Sequence, residues 1–292
     1  MKRIVTIQDI SCIGKCSLTV ALPLISCFGV ETAIIPTAVL STHTAFNEFT
    51  FHDLTDDIEP IMANWKKQNF HFDGIYTGYL GSIRQIELMK KFFDTFAEEN
   101  TLKIVDPCMA DFGSLYKGFD KEFAFEMAAL CSKADIILPN LTEASFLLKR
   151  DCLGDNYSED DIKEMVVALS KLGAKKVILK GVSFNKQKSS FKGVEGKIGI
   201  CYYNSENDKY FWYFHKKIEQ NFHGTGDIFA SVFTGAMIEN FSIENAYTLA
   251  ADFVLKTIEY TIKDKNHNFY GVNFESAIPF LVKEIEKRKH LN

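Results

Sequence analysis

The chain has 292 residues, 47% of them hydrophobic and 24% charged, a globular balance with enough length to bury a large core. A formal net charge of −5 argues against nucleic acid as the main partner, and the lysines at 283–289 read as a solvated face. No apolar run reaches membrane-spanning length, and seven scattered cysteines without a C-x-x-C pair read as reduced thiols. These features predict a cytoplasmic protein of one domain over 1–292, with no membrane segment, disulfide framework or zinc site.

Residues 3–8 form a β-branched run that breaks at Asp9-Ile10-Ser11 and leads into a helix over roughly 16–28, the opening of a βαβ unit. In open parallel sheets ligands sit beyond the carboxyl ends of the strands, which makes Asp9 and Ser11 candidate site residues. Helix capping and turn chemistry would account for them equally well. A second strand at 32–36 opens into Thr37 to Thr44, where hydroxyls surround His43. His43 and Thr44 have the chemistry to bind a small polar ligand, although a lone histidine is more often a surface or core residue. A helix is expected at 53–69. The third strand, 73–77, ends at Gly78-Tyr79, where the ring is free to cover a ligand or simply stands in a turn.

A helix at 82–99 precedes a fourth strand at 102–105, which ends at Asp106-Pro107 with Asp111 close behind. Two acids at a strand's carboxyl end suit magnesium and phosphate, while Asp-Pro is also ordinary turn chemistry. The fifth strand, 134–139, is followed by Asn140-Leu141-Thr142-Glu143, a pattern that a capping box explains without any function. A capped helix at 158–172 and a sixth strand at 176–179 lead to Lys180-Gly181. Residues 185–196 read as a surface loop, and alternating stretches at 197–203 and 209–215 as a hairpin.

His223-Gly224-Thr225-Gly226-Asp227 then opens a long apolar run. This spacing predicts a glycine-relaxed turn entering a buried helix, whose first amides have no internal partners and form an anion pocket. Asp227 would either sit in the first helical turn as a structural residue or take a proton from a hydroxyl attacking a phosphate there. Helical segments follow at 242–264 and 274–289. The βαβα order predicts a mostly parallel, doubly wound sheet with helices on both faces and one antiparallel addition. The first and second strands are too close in sequence for a separate lid domain.

These motifs, taken in order, resemble the pyridoxal/pyridoxamine kinase branch of the ribokinase-like superfamily, from residue 3 to beyond residue 255. Gly224-Thr225-Gly226-Asp227 is similar to its anion-hole and catalytic-base signature, Asn140 to Glu143 to its N-x-x-E motif, and Asp106 to Asp111 to its D-P-V-x-x-D segment. Ser41-Thr42-His43-Thr44 resembles the S-N-H-T stretch and Thr77-Gly78-Tyr79 the T-G-Y of pyridoxal kinases. The resemblance implies ATP-dependent phosphorylation of the hydroxymethyl group of a B6 vitamer by a homodimer. It implies Asp227 as base and the amides of Gly224, Thr225, Gly226 and Asp227 around the transferring phosphoryl group. Asp106, Asp111 and Glu143 would order Mg2+ and its waters near the phosphates, and a monovalent cation would be a further cofactor. Asn140, Lys180, Gly181 and Thr225 would meet the nucleotide; His43, Thr44 and Tyr79 would frame the ring.

The chain departs from this pattern at Asp9 and Ala110. Asp9 with Ser11 is similar to the D-P-S segment of hydroxymethylpyrimidine kinases, which share the fold, and a carboxylate there suits an aminated ring. Ser41 to Thr44 does not resemble those enzymes. The readings that stand are thus a B6 vitamer kinase, a hydroxymethylpyrimidine kinase, and a non-catalytic vitamer-binding protein.

Overall fold

The structure, a computed structural model, describes residues 1–185, 188 and 190–289. In chain order its elements are β1 (Arg3–Ser11), α1 (Ser17–Ser26), β2 (Glu31–Leu40), β3 (Phe51–Asp53), α2 (Thr55–Lys67), β4 (Gly74–Thr77), α3 (Ile83–Phe96) and β5 (Leu102–Val105). A small hairpin of β6 (Ala110–Asp111) and β7 (Ser114–Leu115) follows, then α4 (Lys121–Cys131), β8 (Ile136–Ile137), α5 (Leu141–Leu147) and α6 (Glu159–Ser170). The rest is β9 (Lys176–Val182), β10 (Lys197–Asn204), β11 (Lys209–Lys216), α7 (Thr225–Ile238), α8 (Ile243–Lys263) and α9 (Ile278–Lys289), the last entered through a 3-10 turn at Phe274–Ala277. This is an α/β fold whose sheet is mostly parallel and flanked by helices.

The chain divides into two compact units. One comprises Met1–Gly81, Asp94–Leu102 and Gln220–Asn292, the other Ser82–Phe93 and Lys103–Glu219.

In the first unit the strand order is β4-β1-β2-β3. β1 runs parallel to both neighbours, pairing Ile4 with Gly74 on one side and with Thr32 on the other. The chain therefore leaves β1 in one direction and returns on its other side, which creates a topological switch at the carboxyl end of β1. The β1–β2 register shifts between Gln8 and Ile10, so Thr37 and Ala38 of β2 share the stretch opposite Asp9. α7 is apolar around most of its circumference because it is enclosed on several sides: it packs on α1 and α8, and only Gly fits at 235, where a Cβ would lie 2.4 Å from the Phe28 ring.

The second unit carries the order β11-β10-β9-β8-β5, parallel from β5 to β9 and antiparallel beyond. α6 packs on β9 and β10, and α5 on β9. Within the stretch expected as a loop, residues 186, 187 and 189 lie outside the described residues. Phe191 nearby is docked against Phe184 and Trp212, which pins that part to the hairpin.

Four expectations needed correction. β1 runs on to Ser11, β2 to Leu40 and β9 to Val182, so Asp9, Ser11, Thr37, Lys180 and Gly181 lie within strands rather than after them. A second antiparallel addition exists, because β3 pairs with the end of β2. The helix α4 has no counterpart among the expected elements; Asp120 caps it by accepting from Phe123 N. The last expected helix begins with a 3-10 turn.

Candidate active site

In the first unit, the ends of β1, β2 and β4 converge where the sheet switches direction. Asp9 is only 6% exposed, and its carboxylate accepts from the Ser11 hydroxyl at 3.2 Å and from the Ser17 hydroxyl. Burial raises its pKa, and the two hydroxyls offset part of that rise. Ser17, the first residue of α1, holds a left-handed backbone (φ 49) that a non-glycine residue rarely adopts. That strained conformation accompanies the bond to Asp9, and the buried pair over-determines it.

The segment after β1 runs beside the segment after β2. Cys12 N donates to Leu40 O at 2.8 Å and His43 N to Ile13 O at 2.8 Å. Ala45 N donates to His43 Nδ1 at 3.0 Å, which leaves Nε2 to carry the proton of the neutral ring. Burial, and then the neighbouring His223, lower the His43 pKa from 6.5 to about 4, so the ring is neutral at physiological pH. The His43 and His223 rings are 4.9 Å apart. Thr44 is exposed. Tyr79 is half-buried after β4, and its carbonyl accepts from the Thr37 hydroxyl at 3.2 Å.

Gly224 is the N-cap of α7, with φ 78 and no side chain to cap the first turn. A Cβ on it would lie 1.9 Å from the Lys15 carbonyl oxygen, so only glycine fits there on two separate grounds. Ile228 N donates to Gly224 O at 3.0 Å, and the amides before it belong to the turn that the sequence marked as an anion pocket. Around Gly226 there is open space. Asp227 stands at the third helical position. The buried Cys16 thiol is pushed well above its ordinary range by burial, then by the Asp227 and Asp9 carboxylates. The two acids therefore flank one thiol, which places Asp9, Ser11 and Asp227 in one neighbourhood.

In the second unit, Asp106 follows β5 and Lys180 lies on β9. The Lys180 Nζ sits 3.0 and 3.1 Å from the two Asp106 oxygens, with side chains 15% and 4% exposed. Asn140 and Glu143 form a complete capping box on α5. The other Glu143 oxygen accepts from Met109 N at 3.2 Å, Asn140 Nδ2 donates to Ala110 O at 2.9 Å, and Gly113 N donates to the Thr142 hydroxyl at 3.0 Å. The start of α5 is thus fastened to the 109–113 backbone. Ala110 is buried in that grip, in the place where the resemblance expects glycine. Burial, then the Asp106 carboxylate, push the Glu143 pKa up to about 8. Burial works against the Lys180 charge, but Asp106 and Glu143 outweigh it and hold its pKa above the ordinary value.

These partners bear on the expected metal set. Asp106 is engaged by Lys180, both Glu143 oxygens accept backbone N–H groups, and Asp111 is exposed with its carboxylate accepting from Phe112 N at 2.9 Å. Among the described residues no group of three or more His, Cys, Asp or Glu side chains could hold a metal ion. A role for Asp106, Asp111 and Glu143 toward magnesium would therefore run through its waters rather than through direct coordination by all three. Gly181 is exposed with φ 78, and Lys180 is committed to its ion pair. No helix among the described residues is long and apolar enough to cross a membrane.

Ser17, Lys15 and His223 complete the first unit's site and were not among the residues expected from the sequence. His223 was legible as the neighbour of Gly224. Ser17 and Lys15 carried no sequence signal, since a left-handed serine and an ion pair across 260 residues leave no local pattern.

A family model described as phosphomethylpyrimidine kinase matches residues 25–272. The chain is 36% identical to a candidate phosphomethylpyrimidine kinase from Bacteroides thetaiotaomicron, crystallised with pyridoxal; the likeness covers 96% of this chain and 95% of that one, with a TM-score of 0.89. Pyridoxal kinase from Lactobacillus plantarum is 25% identical with a TM-score of 0.86, covering 98% of this chain and 99% of that one. A pyridoxal kinase from Histophilus somni is 27% identical over 273 residues, 89% of this chain and 90% of the relative. The chain belongs to the phosphomethylpyrimidine kinase family, in the pyridoxal kinase branch of the ribokinase-like superfamily, and is a kinase.

Proposed function

We propose that the protein transfers the terminal phosphoryl group of ATP to the hydroxymethyl oxygen of a B6 vitamer. The observation that carries this reading is Asp227 on the first turn of α7, beside the Gly224 turn and in the same neighbourhood as Asp9 and Ser11. A carboxylate beside an anion pocket hinders simple phosphate binding and helps a hydroxyl attack phosphorus. The vitamer oxygen forms a bond to the γ-phosphorus as the bond to the ADP oxygen breaks, and the hydroxyl proton passes to Asp227. The amides of Thr225, Gly226 and Asp227 hold the transferring oxygens, because phosphoryl transfer depends on in-line placement and charge stabilisation.

His43, Tyr79 and Thr44 take the heteroaromatic ring. His43 is neutral and offers Nε2–H as a donor to a ring substituent, while Asp9, held by two hydroxyls, offers an acceptor. The Asp106–Lys180 pair, Asn140 and Gly181 serve the nucleotide. Magnesium would enter with the nucleotide's own phosphates rather than in a protein carboxylate cage. We extend the proposal to a single kinase domain that acts as a cytoplasmic homodimer.

Asp9 favours a second reading, hydroxymethylpyrimidine as acceptor, because a buried acid suits an amino-substituted ring. Pyridoxal, pyridoxine, pyridoxamine and hydroxymethylpyrimidine, each assayed with ATP, decide the matter. Turnover greatest with a B6 vitamer is the expected result. Preference for the pyrimidine would replace the reading with the second one, and ligand binding without any turnover would leave a binding protein.

A further inference from the structure

The loop between β1 and α1 carries Lys15, whose side chain is only 13% exposed. Its Nζ lies 2.8 Å from Glu275 Oε2 and 3.2 Å from Asn273 Oδ1, with the Phe274 ring 5.9 Å away. Asn273 is itself fixed. Its backbone N donates to the Thr261 hydroxyl at 2.7 Å and its Nδ2 to Asp264 at 2.9 Å. The stem of Lys15 also fits closely, because a Cβ on Gly271 would lie 2.5 Å from Lys15 Cβ. At the other end of the residue, the Lys15 carbonyl oxygen is the atom that a Cβ on Gly224 would strike first, at 1.9 Å. One residue thus joins the 271–275 segment to the turn that sets the first amides of α7.

We propose that Lys15 is a positioning residue of phosphoryl transfer, its ammonium anchored by Glu275 and Asn273 and its backbone carbonyl forming the wall against which Gly224 turns. The inference rests on the kinase reading for its kinetic consequence, but its structural content is independent of the acceptor. Lys15 does not bind phosphate itself: its ammonium is taken up by Glu275 and Asn273. Releasing that anchor lets the carbonyl drift and blurs the amides of Thr225, Gly226 and Asp227. A small loss of placement there costs rate rather than substrate affinity.

Lys15→Met keeps the stem and removes the anchor, Lys15→Arg keeps the charge, and Glu275→Gln weakens the other side of the bond. Lys15→Met and Glu275→Gln should each lower kcat about 10-fold or more with KM for nucleotide and acceptor changed by less than about 3-fold, and Lys15→Arg should recover most of the rate. Amide hydrogen exchange of residues 224–228 should quicken about 10-fold in Lys15→Met, while exchange in α8 stays as in the wild type. Unchanged exchange at 224–228 would overturn the inference whatever the substrate. So would a loss confined to thermal stability, or a rise in nucleotide KM with kcat retained, which would make Lys15 a phosphate ligand. Absence of turnover by the wild type with every acceptor would instead count against the kinase reading, and the exchange result would still decide the role of Lys15.

Discussion

The His43 and His223 rings lie 4.9 Å apart at an interplanar angle of 49°, which couples the segment after β2 to the residue that precedes the Gly224 turn. One histidine faces the ring-binding side of the proposed site, and the other borders the phosphoryl-binding turn. A hydroxymethyl heteroaromatic has the same two parts, joined by one carbon. His43→Gln should therefore weaken the use of the vitamer by about 10–100-fold in kcat/KM, the range of one lost hydrogen bond of ~1–3 kcal/mol. Nucleotide KM should stay near the wild-type value. Steady-state kinetics with each substrate varied in turn checks this.

The same histidine gives a pH prediction. Its folded pKa is lowered from 6.5 to about 4, by burial first and by His223 second. Between those values the unfolded chain holds a proton that the folded chain does not, so stability rises with pH across this window. The contribution is complete above about 6.5, is lost as pH falls toward 4, and changes no further below that. Urea unfolding of wild type and His43→Gln at several pH values reads the difference. The wild type should lose more stability than the variant between those two pH values.

Gly224 and Gly226 should respond differently to alanine. Gly224→Ala meets both the left-handed backbone and the Lys15 carbonyl, so turnover should fall by at least about 100-fold with a lowered Tm. Gly226 has open space where a Cβ would go, so Gly226→Ala should fold with a Tm close to the wild type. Thermal melts beside an activity assay separate the two.

The Asp106–Lys180 pair is nearly buried, and breaking one side leaves an uncompensated charge. Asp106→Asn or Lys180→Met should each destabilise the fold by about 3–5 kcal/mol. The double variant Asp106→Asn with Lys180→Met should recover part of that loss, because no lone charge remains. Chemical denaturation of the three proteins provides the comparison.

Much of this was legible in the sequence for physical reasons that can be named. The β-branched runs and their polar ends marked where β4 and β5 stop, though β1 runs on through Asp9 to Ser11, and the glycine pattern marked the turn before α7. The Asn140–Glu143 box was legible because capping is a local interaction. What the sequence hid was non-local or conformational. The Lys15–Glu275 bond spans 260 residues, Ser17 adopts a backbone that serine rarely takes, and α4 carries apolar residues too densely for a clean stripe. The three carboxylates resembled a metal set because their positions match the motifs. Only the fold shows that a lysine and backbone amides already occupy two of them.

In the proposed reaction Asp227 takes the proton as a B6 hydroxymethyl group is phosphorylated. Phosphorus NMR of wild type and Asp227→Asn, each incubated with ATP and pyridoxal, tests it most directly. The wild type should give pyridoxal 5'-phosphate and ADP. Asp227→Asn should give little or no product while still binding both substrates nearly as the wild type does. Product formation by Asp227→Asn at a rate near the wild type would contradict it.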